Sequence, residues 1–163
     1  MTADEVFDPN SDYYTSPPVT PEAIAEAERL LGVKLPAAYL RLIRERNGGK
    51  LRRQSFLTPF PTSWAPDHIG VRAILGIGGS EGIDHELGSR YMVVEWGYPD
   101  IGVVFCETPA GGHDAVMLDY RECGAHGEPS VAYIDEDRIP RTIAASFEDF
   151  VAGLVDEPEP EDD

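Results

Sequence analysis

The chain has 163 residues, 42% of them hydrophobic and 26% charged, the composition of one ordinary globular domain rather than of a disordered or fibrous chain. Acidic residues number 30 against 13 basic ones, for a formal net charge of −17. A surface this negative repels phosphate backbones and anionic headgroups, which argues against nucleic acid and membrane partners and favours basic proteins.

No apolar stretch approaches the ~20 residues of a membrane span. Residues 1–12 carry Asp4, Glu5, Asp8 and Asp12 with no base, unlike a signal or transit peptide. Cys106 and Cys123 make no disulfide framework, so two reduced thiols in a cytoplasmic protein are expected. Residues 1–14 hold four acids and residues 156–163 six, with no base in either segment. Both contain proline and few large apolar residues. They read as an acidic mobile arm over 1–19 and a disordered tail over 156–163, flanking a single domain over 20–155. Inside that domain, residues 29–53 hold eight bases and one acid, whereas residues 54–155 hold five bases and sixteen acids.

The first helix is announced by Thr20-Pro21-Glu22: a capping hydroxyl, a proline suited to the first helical position, and an acid at the positive end of the helix dipole. Ile24, Ala27, Leu30 and Leu31 form an apolar stripe, and Gly32 ends the helix. Pro36 opens a second helix with Tyr39, Leu40 and Ile43 inward and Arg41, Arg44 and Glu45 outward, stopped by Asn47-Gly48-Gly49. The period then changes to two. Residues 71–77, 91–96, 101–106, 115–120 and 130–134 are strand-like runs, separated by short turns rich in Gly, Pro and Asp. Residues 78–88 are too glycine-rich for a strand and read as a loop with room for one helical turn. Ser146 with Asp149 resembles a capping box, and Phe147, Phe150, Val151 and Leu154 then share one face of a last helix. Short connections suit antiparallel neighbours. The fold class is α+β: an antiparallel sheet with an N-terminal helical hairpin and a C-terminal helix packed together on one side.

The residues that could carry chemistry do not assemble into a motif. Cys123 and His126 with Cys106 and His113 lack the two tight pairs of a structural zinc site. Gly76, Gly78, Gly79 and Gly82 have neither the lysine and hydroxyl of a P-loop nor a surrounding parallel unit. Ser80, Ser89, His85, His113 and Asp114 include no nucleophile elbow. The run Asp135-Glu136-Asp137 lacks calcium-loop spacing and reads as a solvated turn, while Glu107 with Asp119 is the kind of acidic pair such a composition supplies by chance. No metal or cofactor is expected.

Residues 20–27, Leu31-Gly32, Leu35-Pro36, Tyr39 and Asn47-Gly48-Gly49 are followed in order by Gly112-His113-Asp114, Leu118-Asp119-Tyr120, Glu128-Pro129-Ser130-Val131 and Ser146-Phe147-Glu148-Asp149-Phe150. This series resembles the SUKH superfamily over residues 20–154. That family includes a fungal regulator of cell-wall synthesis and bacterial immunity proteins that neutralise toxin domains, often nucleases. The resemblance implies an α+β domain whose sheet and adjoining loops hold a protein partner, with no catalytic activity. The expected partner is a cognate basic toxin domain; the alternative is an intracellular scaffold or regulatory module. The chain itself is expected to be a monomer or weak homodimer. Carboxylates suit a groove built for phosphates, and aromatic side chains supply interface energy. The candidate contact residues are Glu95, Trp96, Tyr98, Asp100, Glu107, Asp114, Tyr120 and Glu122.

Overall fold

A computed structural model describes residues 1–158 of the chain. Residues 159–163, part of the expected acidic tail, lie outside the described residues. The chain opens with a short helix, α1 (Ala3–Val6). The Thr2 hydroxyl accepts from the Glu5 N–H, and the Glu5 carboxylate accepts in return from the Thr2 N–H. Phe7 then enters the main core at 1% exposure, with Ala3 and Val6 beside it. The Arg46 guanidinium donates to the Asp8 carbonyl and the Thr15 hydroxyl, each at 2.9 Å, and to the Ser11 carbonyl. It also lies 5.2 Å from the centre of the Phe7 ring. Residues 3–7, expected within a mobile arm, are instead packed against the body. One buried aromatic, worth about 1.5–3 kcal/mol, outweighs what average composition suggested.

Helix α2 (Pro21–Leu31) begins with the Thr20 hydroxyl accepting from the Ala23 N–H at 3.1 Å and ends at Gly32 with φ 72°. Ile24 and Ala27 are buried, but Leu30, expected in the same stripe, is 55% exposed. Helix α3 (Ala37–Glu45) follows Pro36, with Tyr39, Leu42 and Ile43 in the core and Arg41 and Arg44 outside. Next come β1 (Gly49–Lys50), β2 (Ser55–Leu57), β3 (His68–Gly70), β4 (Ala73–Ile74), α4 (Ser89–Trp96), β5 (Gly102–Glu107), β6 (Ala115–Asp119), β7 (Ser130–Ile134), β8 (Pro140–Ala144), α5 (Phe147–Ala152) and β9 (Leu154–Val155). The Ser146 hydroxyl caps α5 by accepting from the Asp149 N–H at 3.1 Å, the forward half of the expected capping box.

Six strands form one antiparallel sheet in the order β1-β4-β5-β6-β7-β8, and three form a second in the order β3-β2-β9. Side chains alternate across the large sheet, as the pleat requires. Val103, Phe105, Val116, Leu118, Val131 and Tyr133 face one core, which α1, α2, α3 and α5 cover. Val104, Ala115, Met117, Ala132 and Ile134 face a smaller one with Tyr98. Both faces are covered, which is why β5, β6 and β7 read as nearly continuous apolar runs.

The helical hairpin and the closing helix pack on one side of the sheet, as the sequence implies. The other side differs. Residues 91–96, expected as a strand, form most of α4, whose Met92 and Val93 pack on the smaller core. Their β-forming side chains are overruled by the smaller core, on which Met92 and Val93 pack one face of a helix of just over two turns, closed at Gly97 with φ 74°. Of the expected strand over 71–77 only β4 forms, and β8 has no counterpart among the expected strands.

Candidate partner-binding cleft

Strand β4 leaves the sheet early. Ala73 pairs with Glu107 and Ile74 with Cys106; the Leu75 N–H still donates to the Phe105 carbonyl at 2.9 Å, and the chain then turns away into residues 78–88. Beyond that point the Val104 N–H has no strand partner. It donates instead to the hydroxyl of Ser89 at 2.9 Å, and Ser89 is 1% exposed. This bond holds the first residue of α4 beside β5 without laying the helix across the edge. Between them a cleft stays open.

The cleft consists of two contiguous hollows of about 220 Å³ each, which share Leu75, Leu87, Met92, Val104 and Glu107. Leu75, Val104 and Cys106 supply an apolar floor, and Leu87 and Trp96 stand on the wall at 61% and 44% exposure. Glu81 lines one hollow and Glu107 lines both. Burial, and then the neighbouring Glu81 carboxylate, hold the Glu107 carboxyl above its ordinary range, while Arg72 pulls the other way. The far end is closed by the turn between β5 and β6, where a Cβ on Gly112 would lie 2.5 Å from the Trp96 ring. Only glycine lets the indole rest there, and its φ of 95° points to the same residue type.

Arg138 fixes the end of α4. Its guanidinium stacks 3.9 Å from the centre of the Tyr98 ring and donates to the Trp96 carbonyl at 3.2 Å and the His113 carbonyl at 3.3 Å. The Tyr98 hydroxyl donates to the Gly112 carbonyl, and burial pushes its pKa up to about 12 against the pull of Arg138.

The eight candidate contact residues divide between three places. Trp96, Glu107 and Asp114 line the cleft, and Glu95 stands exposed beside Trp96 on α4. Tyr98 is 2% exposed and supports the cleft from within the smaller core. Asp100, Tyr120 and Glu122 sit at the opposite end of β5 and β6. There Asp100 pairs with Arg90 at 3.0 Å, and the buried Tyr120 donates its hydroxyl to the Lys34 carbonyl at 2.7 Å. Tyr120 is thus a brace between sheet and helical hairpin. Leu75, Glu81, Leu87 and Met92 were missed. Leu87, one of two large apolar residues in a polar, glycine-rich loop, was the available signal.

Asp114 is not a surface acid. It is 3% exposed, and its carboxylate accepts from the Thr108 hydroxyl at 2.6 Å and the Tyr133 hydroxyl at 2.7 Å. Burial raises its pKa, and the two hydroxyls only partly compensate. A raised carboxyl pKa means the folded state binds the proton more tightly than the unfolded state. The resulting stability is complete below the unfolded value, about 4, and is lost as pH rises through the folded value. Asp114→Asn retains an acceptor but cannot ionise. The stability difference, wild type minus Asp114→Asn, should therefore shrink between about pH 4 and pH 7 in thermal melts. A difference constant across that range would show that Asp114 is not strained by burial.

A second hollow of about 300 Å³ lies between α1 and α5, but Arg53 stands there beside Glu5 and Glu148, so it favours no sign of charge. Cys106 is buried, with its thiol pushed up by burial, and Cys123 is half-buried. Among the described residues no three His, Cys, Asp or Glu side chains group as metal ligands, and no helix is long and apolar enough to cross a membrane.

The model of the SMI1 / KNR4 family (SUKH-1) matches residues 18–153. The chain belongs to the SUKH family. No curated protein and no solved structure matches the chain at a significant level. In this SUKH domain the residues that carry the resemblance serve the fold. Pro36 precedes α3, Gly48 turns the chain with φ 85°, and Phe147 and Phe150 are fully buried. Asp119 accepts from the Arg121 N–H and guanidinium, which outweigh its burial and hold its carboxyl below the ordinary range. The matched span includes the whole cleft but begins after α1 and Phe7.

Proposed function

We propose that this SUKH domain is a non-enzymatic binding protein that neutralises a basic toxin domain, of nuclease type, by direct contact. The observation that carries the reading is the cleft: an apolar floor with an exposed indole on its wall and carboxylates on its rim. A nuclease presents Lys and Arg to phosphates, and a carboxylate-rich surface can occupy that groove. Net charge adds long-range attraction, which acts on the association rate more than on the final affinity.

The test is purification of the tagged protein from its native cell, identification of what stays bound by mass spectrometry, and co-expression with the bound domain. One stoichiometric partner with a basic domain, toxic alone and harmless with this protein, is the expected result. Several partners at low occupancy would replace neutralisation with a scaffold or regulatory role. With the partner in hand, the association rate should fall steeply with added salt as the screening length shortens to about 8 Å near physiological ionic strength. A rate indifferent to salt would remove charge from the explanation.

A further inference from the structure

We propose that the cleft receives one large apolar side chain of a cationic amphipathic segment, in which lysine or arginine flanks a Leu, Met or Phe. The inference rests on the reading of this domain as a protein binder and names what its binding site recognises.

The lining points to a hydrocarbon side chain. The two hollows, about 220 Å³ each, are contiguous, and each has room for a Leu, Met or Phe side chain. Leu75, Val104 and Cys106 below and Met92 and Leu87 beside it offer contact to hydrocarbon. Leu87, in particular, is 61% exposed at the edge of the cleft, where burial by a partner would remove apolar surface from water.

Charge points to cations on both sides of that apolar group. Glu81 and Glu107 line the cleft, where the Glu81 carboxylate adds to the cost of ionising Glu107, and a partner's ammonium or guanidinium would relieve that repulsion. Glu86 is exposed in the loop and Glu95 on α4. Two bases of this face are engaged: Arg90 pairs with Asp100, and Arg138 lies on Tyr98. Trp96 adds a partly exposed ring, held against Tyr91 with centroids 5.8 Å apart, on which an arginine can stack. An acidic or uncharged apolar segment would satisfy the floor but not the rim.

The experiment pans the full chain against a displayed library of random 12-residue peptides. Enriched sequences should centre on one large apolar residue flanked by Lys or Arg. Their affinity should fall about tenfold or more in the double variant Leu87→Ser/Trp96→Ala, and also in Glu81→Gln/Glu107→Gln. All four side chains are at least partly exposed, and unchanged thermal melts will verify that the variants fold. Enrichment of acidic or purely apolar peptides, no enrichment, or affinity unaltered in both variants overturns the proposal. Toxin protection separates this result from the broader reading. A toxin neutralised equally by wild type and Leu87→Ser/Trp96→Ala would sink the cleft and leave neutralisation standing, whereas peptides bound as expected without any toxin partner would do the reverse.

Discussion

Phe7→Ala is expected to destabilise the fold by about 3–5 kcal/mol, measured by urea unfolding. The ring is 1% exposed inside the main core, so its removal costs both the transfer of apolar surface and the cavity left behind. Its surroundings cannot easily collapse. Phe7 bridges Leu51, the Asp8 N–H donates to the Lys50 carbonyl at 2.8 Å, and the Arg52 N–H donates to the Val6 carbonyl at 2.9 Å. The arm is therefore tied on both sides of the ring. Arg46 would lose the aromatic face it stacks on while still holding the backbone of Asp8 and Ser11. Tyr13→Ala is the control: Tyr13 is 72% exposed, and its loss should change stability by no more than about 0.5 kcal/mol. Equal effects at the two positions would mean that the arm does not belong to the fold in solution.

The elements legible in the sequence were those whose signals are local. Thr20-Pro21, Leu35-Pro36 and Ser146-Phe147 place capping or helix-opening chemistry within a residue or two of the helix they start, and α2, α3 and α5 begin there. The runs of β5, β6 and β7 were visible because both faces of those strands are buried. What failed depends on distant partners. Residues 91–96 carry strand-forming side chains, and their helical state is decided by the smaller core beneath them and by the Val104 N–H that Ser89 satisfies. Strands β1, β2, β4 and β9 have two or three residues each, too few for any alternation to show. Phe7 was hidden by the acids around it.

The site was half legible for a related reason. Trp96 and Glu107 were marked by residue type, and both line the cleft; Asp114 was marked as a surface acid and proves to be a buried acceptor. A cleft made by a strand leaving early has no motif, because its defining feature is a missing backbone partner. Arg41 and Arg44 point outward from α3 over the main core, whereas Glu81, Glu95 and Glu107 lie on the side covered by α4.

Asn47→Ala is expected to cost about 3 kcal/mol and to loosen the cleft from behind. Asn47 is 3% exposed, and its amide makes three hydrogen bonds: it donates to the Pro17 carbonyl at 2.7 Å and the Ile77 carbonyl at 2.8 Å, and accepts from the Ile77 N–H at 2.9 Å. The side chain thus stands in for a strand neighbour where β4 has ended. Each bond contributes about 0.5–1.5 kcal/mol, and alanine would leave the Ile77 groups buried without a partner. Gly76 completes the joint, since a Cβ there would sit 2.2 Å from the Asn47 side-chain oxygen. Asn47→Asp separates shape from hydrogen bonding: it keeps the acceptor for the Ile77 N–H but sets a carboxylate against two carbonyls, and should be no more stable than alanine at neutral pH. From this joint the chain runs into the loop that walls the cleft, and the Ile83 N–H returns to the Gly76 carbonyl at 2.9 Å. In Asn47→Ala the amides of Ile77 and Ile83 should exchange with solvent faster than those of β6, by more than the global loss of stability accounts for. Uniform acceleration across the sheet would show instead that the joint and the sheet open only together, and that the cleft wall has no motion of its own.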